Sequence, residues 1–514
     1  MKIGIGQINP TVGDMEGNVT RCLDAVRQAH GLGAGLVVLP ELALPGCHPK
    51  DILLDPGFVE AVGEANAHLA VLTRDLPPVI VGTVLAAESR KNNTPQLYNA
   101  AVLLEGGRVR MLSAKQTLPM QDVFFEPRWF IPGHDPQAYL VAGMRLGVLV
   151  GGERESAASL PDADIVVCLA ASPFVPCIEF KRQAFARAMH RSLVYANLVG
   201  GNDDLVYDGR SFAANRAGEL VCQLAAFEQD VRVVDMAIPG DGVEDSSITA
   251  LEADNEFDIP GAEELLMRAL SLGIRDFARK NGLERVFIGL SGGVDSALVA
   301  VLAADALGAE RVTCVAMPSR FTDPRSTQSA QELAQSLGTG FEVVPIEPLH
   351  AAAEAVMGKL LQEGTAAENV QARIRMVILM GYVNRYGGML LNTGNKTEAS
   401  LGYATLYGDT AGSLCPIGDL TKPQVVHLAR WIHEGRGLIP DFVLDRKPTA
   451  ELRPGQVDPF EYDQIAPVLE KMVLENRSNP AMQAAEHKRA QMGVVLKVSE
   501  KAFGPGRMVP ITKK

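Results

Sequence analysis

The chain has 514 residues, 47% of them hydrophobic and 21% charged, the balance of a globular protein with an ample core, which excludes disordered, collagen-like and disulfide-scaffold classes. At roughly 150 residues per domain, that length predicts two large domains or three ordinary ones. Lys and Arg number 48 against 61 Asp and Glu, a formal charge of −13; bulk attraction to nucleic acid or to an anionic membrane is excluded, and anions must be bound at local sites.

The opening MKIGIGQINPTVGD alternates like a first strand, where a secretory signal would need a continuous apolar core. Residues 36–39, 79–81 and 146–150 are short β-branched runs that read as buried strands, and 18–30 and 58–72 carry helical spacing. Their alternation predicts an α/β sandwich over 1–250. Residues 239–258, PGDGVEDSSITALEADNEFD, have the acidic, broken composition of a linker, and a second domain is predicted over 260–514. There a helix at 262–281 is followed by a strand at 285–290, a glycine turn and a helix. Further strands at 311–317 and 388–392 extend the βα pattern into a doubly wound parallel sheet. No run reaches the roughly 20 apolar residues of a membrane span. Seven cysteines are scattered with no CxxC pair, which predicts reduced thiols in a cytoplasmic protein.

The glycine turn is the most informative segment. Residues 285–296 read RVFIGLSGGVDS: a strand ends, two glycines turn the chain, and a helix begins, aiming backbone N–H groups and a helix N-terminus at an anion. Ser291 and Ser296 add hydroxyls. Asp295 would repel phosphate unless Mg²⁺ bridges them. Neither GxxxxGK[ST] nor GxGxxG is present, so Walker and dinucleotide-fold sites are excluded. SGGVDS resembles the pyrophosphate loop of the N-type ATP pyrophosphatases, the adenine nucleotide alpha hydrolase-like class, whose members adenylate a carbonyl oxygen before a nitrogen or sulfur nucleophile attacks.

Later blocks choose among these enzymes. LNTGNKTEAS (391–400), GYATLYGD (402–409), MPSR (317–320), ENVQARIR (368–375), KPTAEL (447–452) and HKR (487–489) together resemble the NAD synthetase signature in order. By themselves, Thr393 and Asn395 are donors beyond a strand end, suited to adenine or ribose. Glu398 is a hard oxygen ligand, able to share Mg²⁺ with Asp295 or to orient a nicotinate carboxylate; a helix-start Glu is more often a dipole partner. The resemblance implies an ATP site of Gly289, Leu290, Ser291, Gly292, Gly293, Val294, Asp295, Ser296, Thr393 and Thr449. It implies a deamido-NAD site of Asn369, Arg373, Glu398, His487 and Lys488. Asp295, Glu398 and Lys422 fall at the chemistry, with Asp295 and Glu398 as metal ligands. ATP and Mg²⁺ are the implied cofactors and a homo-oligomer the implied assembly.

The first half resembles the nitrilase-like glutaminase domain of glutamine-dependent NAD synthetases, through GQINPTVGD, LPELALPGC, LYNAAVL, KQTLP, ASPF and NLVGGNDDLVYDGRSF. In that family a cysteine attacks the glutamine amide, a glutamate is the base and a lysine assists the oxyanion. Glu41 and Lys115 match the last two, and Glu126 a supporting acid. The cysteine belongs at the end of the strand at 147–150, where the family reads G-V-x-I-C-E-D-x-W. Here residues 147–155 are GVLVGGERE: Gly151 stands at the nucleophile position, with Gly152 and Glu155 replacing its neighbours, and Met120 and Gln121 replacing an Asn-Tyr pair. Glycine cannot form a thioester. Cys168 and Cys177 read as small packing residues and Cys47 as the least implausible substitute. The chain is therefore expected to amidate deamido-NAD to NAD with free ammonia, its glutaminase half kept as an inactive scaffold. A glutamine-dependent enzyme with a non-standard nucleophile and a non-catalytic nucleotide-binding regulator are the alternatives.

Overall fold

The computed structural model describes residues 1–91, 94–135, 137–151, 163–236, 249–250 and 260–503. Gly152 and Glu155, and residues 239–248 and 251–258 of the acidic segment, lie outside them. The chain divides into two compact units, residues 1–202 with 206–260, and 203–205 with 261–514.

In the first unit a seven-stranded sheet and a six-stranded sheet are present, with one apolar cluster drawn from both. Ile3, Ile5, Val38 and Leu103 of the first sheet join Val148, Val150, Val167 and Val194 of the second. Helices Met15–Gly31 and Pro56–Leu72 contribute Cys22, Val26 and Leu69 to a cluster with Val37 and Val81 of the first sheet. Helix Ile178–Met189 packs Phe185, Ala186 and Met189 against Cys168 and Tyr195 of the second. Each sheet is thus covered on both faces, and helices cover the outer ones. The strand Ile165–Ala170 is buried throughout, which is why it reads as an unbroken apolar run. The helix expected at 18–30 starts earlier, at Met15, because Asp14 caps it by accepting from the Gly17 amide at 3.0 Å.

The second unit contains a four-stranded parallel sheet. Its spatial order is Gly340–Val343, Val312–Ala316, Val286–Gly289, Met389–Leu390. The chain moves outward from Val286–Gly289 through Val312–Ala316 to Gly340–Val343, then returns to place Met389–Leu390 on the other side of Val286–Gly289. That reversal leaves a crevice at the carboxyl ends of Val286–Gly289 and Met389–Leu390, where open α/β sheets hold their ligands. Helices Ala262–Lys280, Thr365–Tyr386 and Lys422–Arg436 are the longest of the unit among the described residues, and the shorter Val294–Leu307 follows the glycine turn. Among the described residues, no helix is long and apolar enough to cross a membrane.

Candidate active site

The crevice of the second unit is a cavity whose lining includes Gly289, Leu290, Ser291, Asp295, Ser296, Thr393 and Glu398. Its floor is the glycine turn. Gly292 has φ +79°, and a Cβ there would stand 2.3 Å from the Ser326 carbonyl oxygen, so only glycine fits. The two serines tie the turn to itself: their hydroxyl oxygens are 3.1 Å apart, the Ser291 hydroxyl accepts from the Gly293 amide at 3.3 Å, and the Ser296 hydroxyl donates to the Gly293 carbonyl at 3.0 Å.

Asp295 lies in the first turn of Val294–Leu307 and is held from two sides. Asn395 Nδ2 donates to its Oδ1 at 2.9 Å, and Lys422 Nζ donates to its Oδ2. Asn395 also caps helix Lys396–Leu401 by accepting from the Glu398 amide at 3.1 Å, so one side chain ties the Asp295 carboxylate to the start of the helix that carries Glu398. Lys422 Nζ is 3.5 Å from Glu398 Oε1 and 5.6 Å from the centre of the Tyr462 ring. Burial works to neutralise Lys422, but Asp295 and Glu398 overcome it and hold the ammonium above its usual range. Burial, then the neighbouring Asp295 charge, pushes the Glu398 carboxyl up to about 8, against the pull of Lys422. Two acids thus face one lysine. A hard divalent cation would suit such a pair; among the described residues no set of three His, Cys, Asp or Glu side chains converges to hold one.

The remaining sequence-derived residues fall elsewhere. Gly292, Gly293 and Val294 form the turn and helix start behind the lining. Thr449 donates to the Gln456 carbonyl at 2.6 Å. Asn369 Oδ1 accepts from the Thr405 hydroxyl at 2.8 Å, Arg373 Nε donates to the Leu406 carbonyl at 3.1 Å, and Lys488 Nζ donates to the Gly402 and Ala404 carbonyls, both at 2.8 Å. Three of the residues expected at deamido-NAD therefore grip one loop, 402–406, which carries Tyr403 and Ala404 into the lining. His487 is exposed.

Arg375, Asp409 and Glu451 line the cavity and were not singled out from the sequence. Ala372, Arg375, Met376 and Leu379 of Thr365–Tyr386 all do so, an i, i+3, i+4, i+7 stripe that excludes Arg373; that spacing was the available signal. Burial lowers Arg375 to about 10, while Glu451 and Asp409 oppose the shift; its Nε donates to the Met317 carbonyl at 3.0 Å.

The first unit has a second cluster. Lys115 Nζ donates to Glu41 Oε1 at 2.9 Å and to Glu126 Oε1 at 2.7 Å. Glu41 also accepts from Asn99 Nδ2 at 2.7 Å and from the Ala171 amide at 3.0 Å. All three charged groups are buried. Burial alone would lower Lys115, but the two carboxylates hold it above its usual range. Gly151 follows the strand Met144–Val150 with φ +83°, and the three atoms nearest a Cβ there are all in Lys115, the first being Cε at 2.8 Å. A side chain at 151 would enter this cluster.

Cys47 is buried, its sulfur 3.3 Å from the Tyr207 hydroxyl; burial, then Glu41, pushes its thiol well above the usual range. Cys168 is buried mid-strand and donates to the Gly151 carbonyl at 3.4 Å. Cys177 corrects the expectation of a packing residue: it is exposed, in the turn at residues 176–177 that precedes Ile178–Met189, with a left-handed φ of 61° that places it outside the regular elements.

A two-sheet sandwich with a buried Glu–Lys–Glu cluster, followed in the chain by a parallel-sheet unit with a glycine turn, defines the class: a nitrilase-like domain followed by an ATP pyrophosphatase-type domain. Residues 2–240 match the carbon-nitrogen hydrolase family and residues 266–502 the NAD synthase family. The chain belongs to the family of two-domain NAD synthetases. The glutamine-dependent NAD(+) synthetase of Synechocystis sp. is 35% identical, covering 99% of this chain and 98% of its own length. That of Thermotoga maritima is 34% identical, over 100% and 99%. The glutamine-dependent NAD+ synthetase of Acinetobacter baumannii, solved in complex with ADP, superposes with a TM-score of 0.78 at 28% identity, covering 99% of this chain and 98% of that one.

Proposed function

We propose that the chain makes NAD from deamido-NAD, ATP and free ammonia. One observation carries the nitrogen source: position 151, the point from which a side chain would enter the Glu41–Lys115–Glu126 cluster, is glycine. The relatives named above are glutamine-dependent; hydrolysis of glutamine's amide by their family's covalent route needs a thiolate. Cys47 offers no replacement, because burial keeps it a thiol bound to Tyr207. The first unit then serves as a scaffold.

In the second unit the nicotinate carboxylate oxygen attacks the α-phosphorus of ATP and pyrophosphate leaves. Ammonia then attacks the activated carbonyl carbon, loses a proton and expels AMP. The glycine turn supplies amide donors for the phosphates. Arg375, whose cationic form is disfavoured by burial, gains from an incoming anion. Lys422 screens the repulsion between Asp295 and Glu398 and supplies positive charge at the phosphates as pyrophosphate departs. Mg²⁺ bound by Asp295 and Glu398 would neutralise phosphate charge.

The test is pyrophosphate release from ATP in the presence of ammonium. It should depend on deamido-NAD and fall by about a thousandfold in Asp295→Ala, the order of loss when a phosphate clamp is removed. Release from the wild type that ignores deamido-NAD would contradict the assignment.

A further inference from the structure

We propose that the first unit carries a phosphate-binding cavity, built around Arg210 on the helix-covered face of its six-stranded sheet. This cavity of about 310 Å³ is lined by Arg182, Arg187, Arg210, Glu179 and Glu219 among others, and it shares no lining residue with the Glu41–Lys115 cluster. Arg210 is buried, and its Nη1 makes no hydrogen bond. Glu179 pairs with it loosely, its Oε2 3.7 Å from that nitrogen. A buried guanidinium N–H without an acceptor carries a desolvation cost, larger for a charged group than for a neutral one.

The other arginine of the floor is differently placed. Arg182 is bound bidentately to Asp208, at 2.9 and 2.7 Å, which leaves its Nε buried without an acceptor. Burial lowers Arg210, Arg182 adds to that, and Asp208 and Glu179 oppose it. At the mouth, exposed Arg187 supplies a third cation, and Glu219 is turned aside by Asn215, whose Nδ2 donates to it at 2.8 Å.

The chemistry favours a phosphoryl group over a carboxylate. Glu179 already offers a carboxylate and does not close on Arg210. A phosphoryl group brings about −1.5 to −2 charges near neutral pH and three acceptor oxygens, enough to engage the Arg210 guanidinium and Arg187 together. The volume leaves room for a small organic body beyond the phosphate. Guanidinium forks suit such a ligand.

Inorganic phosphate titrated calorimetrically into the full chain is the probe. Glu179→Gln, which removes the competing carboxylate, should tighten binding several-fold; Arg210→Gln should weaken it at least tenfold. Acetate in place of phosphate should bind at least tenfold more weakly than phosphate. A tungstate-soaked crystal should show a heavy-atom peak in this cavity beside the Arg210 guanidinium. Phosphate affinity unchanged in Glu179→Gln overturns the proposal even if Arg210→Gln fails to fold. So does a tungstate peak confined to the glycine turn of the second unit, or acetate binding as tightly as phosphate.

Discussion

Gly151 is the residue on which the proposed nitrogen source turns, and its backbone makes a cysteine there hard to accommodate. A φ of +83° is strained for any residue with a Cβ, by about 1–3 kcal/mol, and that Cβ would press on a lysine already pinned by two carboxylates. Gly151→Cys is therefore expected to lower stability by about that amount and to release no glutamate from glutamine, as read by denaturant melts and a glutamate assay. Robust glutamate release by this single variant would mean that the cluster had kept a working geometry. Glu398 gives a prediction of the opposite sign. Its carboxyl rises to about 8 in the folded chain from an ordinary 4.5, so between those values the folded state binds more protons than the unfolded one and stability falls as pH rises. Glu398→Gln should remove that penalty. Without ligands, the variant should melt about as the wild type does at pH 5 and several degrees higher at pH 8; parallel Tm profiles for the two chains would contradict the raised carboxyl.

Among the elements, the glycine turn and the short helix beyond the last strand carry the site, and they were legible to different degrees. SGGVDS could be read directly, because a strand, paired glycines and a helix start leave few geometries open. Gly292→Ala tests it: the methyl would meet the Ser326 carbonyl oxygen at 2.3 Å, so ATP-dependent turnover should fall by at least about a hundredfold while the far-UV spectrum is retained; near-normal turnover would show that the turn tolerates displacement. Asn395 was read as a donor for nucleotide, yet its side chain is spent on Asp295 and the Glu398 amide. Capping and charge pairing depend on which loop meets which, and sequence spacing does not say that residue 395 will lie against residue 295. For the same reason Arg373 was chosen over Arg375: both stand in ENVQARIR, and only the helix face, fixed by packing of Ile374 and Leu379 into the apolar cluster with Phe287 and Val315, separates them. The long buried strands, by contrast, were plain from their apolar runs.

At the scale of the whole molecule, the two folds and their order along the chain followed from motif content, since each motif block belongs to one kind of unit. What the first unit does was less legible: Glu41, Lys115 and Glu126 form a charged cluster, and on the proposed reading Gly151 stands where a nucleophilic cysteine is expected. The most direct test of that claim is the initial rate of NAD formation, with glutamate measured in parallel, when ammonium or glutamine is the sole nitrogen donor. Ammonium is expected to support NAD formation, and glutamine to yield no glutamate and no NAD beyond that from contaminating ammonia. Glutamate appearing in step with NAD, and lost in Glu41→Ala, would show the first unit to be a working glutaminase and would contradict the account.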